Sequence, residues 1–128
     1  MSTLLQKVSL LQPKDESECE DFVREGILSS AENVVSFYKG VRDMLIVTTK
    51  RLLLVDKQGL TGKKQKFTTI PLSQICAYSV ETGGTIDLDC DVYIHLTGLG
   101  HVHAQILRPT KNIDPLVKAL NSILIDNQ

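Results

Sequence analysis

The stretch from Asp43 to Asp56 places two four-residue apolar runs, Met44 to Val47 and Leu52 to Val55, on either side of Thr48-Thr49-Lys50-Arg51. This pattern predicts a β-hairpin with Thr49-Lys50 as its loop, in which Val47 opposes Leu52, Ile46 opposes Leu53 and Leu45 opposes Leu54. Neighbouring side chains on a strand point to opposite faces, so such a hairpin is apolar on both sides. One face carries Leu45, Val47, Leu52 and Leu54; the other carries Met44, Ile46, Leu53 and Val55. One set enters a core, and the second also needs a cover. Each fully buried side chain of this kind is worth about 1.5–3 kcal/mol, so four left in water would forgo several kcal/mol. A patch of that size marks an interaction site.

Two covers are available. An N-terminal helix bearing Phe22, Val23, Ile27 and Leu28 could lie over part of the hairpin, or a second copy of the chain could do so. Self-association is the preferred expectation. Leu45, Val47, Leu52 and Leu54 are taken as the outward set, with Asp87 and Asp89 as acidic members of the same homo-oligomer interface.

Charge segregation supports a head-to-tail contact. The formal net charge is only -1, yet residues 15 to 25 hold Asp15, Glu16, Glu18, Glu20, Asp21 and Glu25 against Arg24. Residues 50 to 66 hold Lys50, Arg51, Lys57, Lys63, Lys64 and Lys66 against Asp56, and residues 81 to 91 carry Glu81, Asp87, Asp89 and Asp91 with no base. Opposite patches on one small body favour internal pairing or heterologous self-association. The near-neutral balance gives no reason to expect a nucleic-acid partner.

The remaining elements follow from periodicity and breakers. Residues 1 to 12 carry no clear signal. A short amphipathic helix is expected at about 14 to 26, its acidic first turns matched to the helix dipole and its end near Gly26. Strands are expected at 33 to 39, in the two arms of the hairpin, at 63 to 70 before Pro71, and at 74 to 81 before Gly83-Gly84. From Asp87 to Leu96 polar and apolar residues alternate, and a loop at Gly98-Leu99-Gly100 would set Leu96 against Val102, Ile94 against Ala104 and Val92 against Ile106. Asp114 reads as an N-cap and Pro115 as the first residue of a final helix with the stripe Leu116, Val117, Leu120, Ile123 and Leu124. The division expected is an N-terminal segment over 1–30 and a barrel domain over 31–128. At 128 residues with 42% apolar content, one core can be built without disulfides or metal. Apolar runs stop at four residues, and the N-terminus lacks a signal-peptide pattern, so a soluble, cytoplasmic protein is expected.

Arg42-Asp43, Thr48, Lys50-Arg51-Leu52, the string Val55 to Lys64, Ile70-Pro71 and the segment Ser79 to Asp89 closely resemble the bacterial pleckstrin-homology domain family, over about residues 33 to 125. The chain departs from that family at Leu72, where an aromatic is common, and at Asp91-Val92. The resemblance implies a mainly β, PH-like fold: a bent, seven-stranded antiparallel barrel closed by a C-terminal helix. It also implies ring-like homo-oligomers and no enzymatic activity.

Little in the sequence points to chemistry. Gly59 to Lys64 lacks the spacing, the Ser or Thr and the following helix of a phosphate-binding loop. Asp87, Asp89 and Asp91 fall short of an EF-hand, which would need Gly and Glu where Val92 and Gly98 stand. In the expected register His95 faces His103, with His101 nearby, too few ligands for a closed zinc site. Cys19, Cys76 and Cys90 form no C-x-x-C pair. Ser79, His95 and Asp87 lack the setting of a nucleophilic triad. No cofactor, metal or catalytic residue is therefore expected. The alternative to a self-assembling scaffold for a protein partner is a membrane-surface module in which Lys39, Arg42, Lys57, Lys63 and Lys64, gathered at one end of the barrel, bind anionic headgroups.

Overall fold

A computed structural model describes residues 3–82, 89–107 and 112–126. The chain forms eight strands, β1 (Leu4–Lys14), β2 (Val34–Lys39), β3 (Asp43–Thr48), β4 (Arg51–Gln58), β5 (Lys64–Pro71), β6 (Ile75–Thr82), β7 (Asp89–Leu96) and β8 (Gly100–Leu107). Between β1 and β2 lie a 3-10 turn at Glu16–Cys19 and a helix, α1 (Glu20–Arg24). A second helix, α2 (Asp114–Asn121), follows β8 and continues as a π-helical turn over Ser122–Asp126.

The strands make one sheet in the order β5-β4-β3-β2-β1-β8-β7-β6. Among the described residues there are eight strands where seven were expected, and the sheet is open. The added strand is β1, which pairs antiparallel with β2 and parallel with β8 and so bridges two antiparallel meanders. Its pattern is broken by register shifts between Leu4 and Gln6 and between Val8 and Leu11, which hides the alternation that marks an ordinary strand. The sheet curls strongly: the Thr68 hydroxyl on β5 donates to Gln6 Oε1 on β1 at 3.3 Å, although three strands lie between them in the order.

The β3–β4 hairpin has the expected register, with Val47 against Leu52, Ile46 against Leu53 and Leu45 against Leu54. The β7–β8 hairpin does not. Its loop is Thr97-Gly98-Leu99, so Leu96 pairs with Gly100, Ile94 with Val102 and Val92 with Ala104. Gly98 and Gly100 both have positive φ, and a Cβ on Gly100 would strike the Thr3 carbonyl, so glycine at 100 serves the pairing with β1 as well as the turn. The two-residue slip keeps every side chain on its expected face.

The hairpin sits between two cores. Leu45, Val47, Leu52 and Leu54 face the main interior with Val8, Leu11, Val92, Ile94, Val102 and Ile106, closed at one end by Leu116, Ala119 and Leu120 of α2. These four hairpin residues are 0–1% exposed, so their assignment to an oligomer interface is corrected: they line the inside of the sheet. Met44, Ile46, Leu53 and Val55 form a second cluster with Phe37, Cys19 and Leu28, flanked by Phe22, Ile27 and Phe67. The chain's own segment between β1 and β2 covers this face, with Phe22 edge-on to Phe67 at a ring separation of 6.1 Å.

Tyrosines hold α2 in place. The buried Tyr38 hydroxyl accepts from the Leu116 N–H at 3.1 Å and donates to the Asn112 carbonyl, and burial pushes it up to about 12. At the other end Tyr78 donates to Asn121 Oδ1 at 2.6 Å. The helix starts one residue before the expected point, with Ile113 as N-cap and Asp114 in the first turn.

Because both faces of the hairpin are buried, Leu53→Ala and Leu54→Ala should each lower unfolding free energy by about 2–5 kcal/mol in urea titrations. A value below about 0.5 kcal/mol for Leu53→Ala would mean that the second face is solvated.

Candidate functional site

The segment that covers the second face is held by one buried ion pair. Glu32 is 9% exposed and receives Arg51 Nε at 3.1 Å on both oxygens and Arg51 Nη2 at 2.6 Å. The Thr48 hydroxyl donates to Glu32 Oε2 at 2.6 Å and accepts the N–H groups of Lys50 and Arg51, which fixes the tight hairpin loop. Arg51 also reaches the Ile27 carbonyl and Thr69 Oγ1, so one guanidinium joins the covering segment, the hairpin and β5. Burial works against ionisation of Glu32, but hydrogen bonds from Arg51, Thr48 and the Ser29 N–H, with the Arg51 charge, bring it down to about 2. Nothing in the sequence's periodicity marks this pair; Glu32 looks like one more loop acid.

The topology places Lys39, Arg42, Lys57, Lys63 and Lys64 at one end of the sheet. The β2–β3 turn and the β4–β5 loop both fall there, because β2, β3, β4 and β5 form a meander. Arg42 binds the two loops together: its Nη1 donates to the Gly59 carbonyl at 3.0 Å and the Lys57 carbonyl at 3.3 Å, and its own carbonyl accepts from the Lys57 N–H at 2.9 Å. At the foot of this end Asp43 and Asp56 are directly opposed across β3 and β4. Asp43 is raised from the ordinary carboxylate range, first by burial and then by Asp56, while the Ser9 N–H, 2.8 Å from Oδ2, and Arg42 act against the rise. Asp56 in turn lies opposite Lys66 on β5.

A second group lies on the outer face of β7 and β8. His103 Nε2 is 2.6 Å from Asp91 Oδ1, Tyr93 stacks on His103 at 4.5 Å, and the His101 ring stands 5.8 Å from His95 and 5.9 Å from Tyr93. The expected pairing of His95 with His103 is corrected: His95 opposes His101, and Tyr93 opposes His103. Asp89 accepts from Gln105 Nε2 at 2.5 Å and is engaged within its own chain. Asp87 and the Gly83-Gly84 turn lie outside the described residues. Among the described residues no group of three or more His, Cys, Asp or Glu is arranged to hold a metal ion. Cys19 and Cys90 are buried and Cys76 is exposed; burial, then Glu18 and Glu16, push the Cys19 thiol up to about 11, which disfavours a reactive thiolate there.

The extra strand aside, this arrangement of meanders and end helix is that of a known domain. The family model described as Bacterial PH domain matches residues 2–124. The chain belongs to this family. Among solved structures, a pleckstrin-homology-domain protein of Shewanella loihica superposes with a TM-score of 0.75 at 27% identity, over 91% of this chain and 98% of that one. A pleckstrin homology domain of Shewanella amazonensis gives 0.69 at 32% identity, over 87% and 90%. The uncharacterised YjqA protein of Bacillus subtilis is 50% identical over 72 residues, 56% of this chain and 58% of that protein's length. No helix among the described residues is long and apolar enough to cross a membrane.

Three measurements check these local electrostatics. Arg51→Met should lower stability by about 3–5 kcal/mol, because it strands a buried carboxylate. A carboxylate held below its ordinary value stabilises the fold above that ordinary value and loses the contribution as it protonates. Urea midpoints of the wild type should therefore fall as pH drops from about 4.5 toward about 2, and that dependence should shrink in Glu32→Gln. Separately, Asp56→Asn should move the Asp43 carboxyl back toward the ordinary range in a carbon-detected NMR titration, since a like charge directly across the strands is removed.

Proposed function

We propose that this bacterial PH domain is a non-catalytic cytoplasmic module that self-assembles through its open sheet edges and presents the assembly to a protein partner. The observation that carries the reading is that β5 and β6 end the strand order, so each has one edge with no partner strand among the described residues. An open edge offers a row of free N–H and C=O groups to another chain. On β6, exposed Cys76, Ala77 and Ser79 carry no charge, and Glu81 is its one acid; on β5, Lys64 and Lys66 are exposed. Opposite charges on the two edges favour β5 of one copy against β6 of the next, a heterologous contact that closes into a ring when the rotation permits. This replaces the apolar hairpin face as the cause of assembly, since that face is covered by the chain itself. Size-exclusion chromatography with light scattering should show oligomers at micromolar concentration, and Lys64→Glu with Lys66→Glu should dissociate them. A wild-type monomer under those conditions sinks the reading.

A second reading, docking on an anionic surface, is favoured by the basic end. There Arg42 fixes two loops against each other, so that basic residues of both lie at one end of the sheet. Each base beside an anionic membrane contributes about 1 kcal/mol, which makes the gathered set of five, and not any single lysine, the functional unit.

A further inference from the structure

Two of the histidines on the outer face of β7 and β8 stand directly opposite each other. In β7, Val92, Ile94 and Leu96 turn into the core, so the period of two sends His95 outward; in β8, Val102 and Ala104 do the same for His101. The antiparallel register then sets His95 against His101. Their imidazole centroids are 5.8 Å apart, and the rings are tilted by 49°.

With metal–nitrogen bonds of about 2.0–2.1 Å, two imidazoles that share one ion have ring centres roughly 4.5–6.4 Å apart. The pair falls inside that span. Its tilt matters too, because rings lying face to face direct their in-plane nitrogens past a common ion; the neighbouring Tyr93–His103 contact, at 24°, is of that stacked kind.

The backbone beneath both imidazoles is anchored on either side. The His101 N–H donates to the Thr3 carbonyl at 2.8 Å, tying β8 to β1, and the His95 carbonyl accepts from the Cys76 thiol at 3.4 Å, tying β7 to β6. Tyr93 packs against the His101 ring at 5.9 Å and a 61° angle. Both histidines are half-buried, open to an ion from solution yet carried on paired strands, which lowers the ordering cost of holding it. His103 differs from them: its Nε2 is engaged by Asp91 at 2.6 Å.

We propose that His95 and His101 form an open, two-histidine chelate for a borderline-soft divalent transition ion of the Cu2+, Ni2+ and Zn2+ class. Imidazole suits these ions, whereas Mg2+ and Ca2+ demand oxygen ligands. Two protein ligands leave the coordination shell unfilled, in keeping with the lack of any group of three or more ligating residues among the described residues; water or a donor from solution takes the other positions. Asp91 and Glu81, opposed across β7 and β6, favour a cation nearby, and Lys7, opposite His103 on β1, acts against it. The chelate lies on interior strands of the sheet and does not depend on what its open edges bind.

The test is calorimetric titration of the untagged full chain with Cu2+, Ni2+, Zn2+ and Mg2+. The wild type should bind one transition ion per chain, Cu2+ most tightly, and no Mg2+. His95→Ala and His101→Ala should each weaken Cu2+ binding by about tenfold or more, because the second imidazole acts at the high effective concentration of a linked ligand. His103→Ala and Cys76→Ser should leave it unchanged. Circular dichroism would verify folding of the variants, and the wild type supplies a readout free of substitution: the chain has three histidines, and Zn2+ should shift the imidazole nitrogen signals of His95 and His101 in NMR while those of His103 stay in place. Wild-type Cu2+ binding no tighter than that of the His95→Ala, His101→Ala double variant would overturn the chelate. So would a loss in His103→Ala or Cys76→Ser as large as in the two proposed ligands, since the ion would then sit elsewhere or on the thiol.

Discussion

A hairpin that is apolar on both faces cannot be a wall between core and water; it has to be a partition between two cores. The rest of this chain is organised by that constraint. On one side the sheet curls around Leu45, Val47, Leu52 and Leu54, and α2 closes the end. On the other, the segment between β1 and β2 is folded back over Met44, Ile46, Leu53 and Val55. That segment has little regular structure of its own, a four-residue 3-10 turn and a five-residue helix. Helices so short do not persist alone in water, so its conformation depends on the surface it covers.

The Glu32–Arg51 pair shows how such a cover is fixed. Hydrophobic contact is non-directional and would tolerate several placements of Phe22 and Leu28. A bidentate guanidinium–carboxylate contact with a threonine hydroxyl completing the set has one geometry. Its position at the hairpin loop is apt, since Thr48 serves both the turn and the acid. The pair thus converts an apolar lid into a located one: the Arg51 guanidinium joins Ile27, Glu32 and Thr69, and Thr48 joins the set through the Glu32 carboxylate.

With both hairpin faces satisfied internally, the proposed contacts fall to the open sheet edges and the basic loop end. The two are physically different. The edges carry backbone hydrogen-bonding groups of the kind another strand can use, whereas the loop end carries charge. Both can serve one protein, since the open edges run along the sides of the sheet and the loops crown one end.

Much of this was readable from residues. The Thr49-Lys50 turn, the register of β3 with β4, the alternation along β7 and the apolar stripe of α2 follow from periods of two and 3.6, which depend on backbone geometry alone. The basic residues could be gathered at one end because a meander alternates its turns between two ends. The sequence left other matters undecided because they depend on distant partners. β1 escaped notice since its bulges break the alternation and its partner, β8, is about a hundred residues away. Which hairpin face looked inward was undetermined, because two apolar faces are equivalent until the curl of the sheet distinguishes them. Glu32 acquired meaning only when Arg51 came beside it in space. Local periodicity set the elements; long-range packing decided which surfaces they kept for themselves and which they left open.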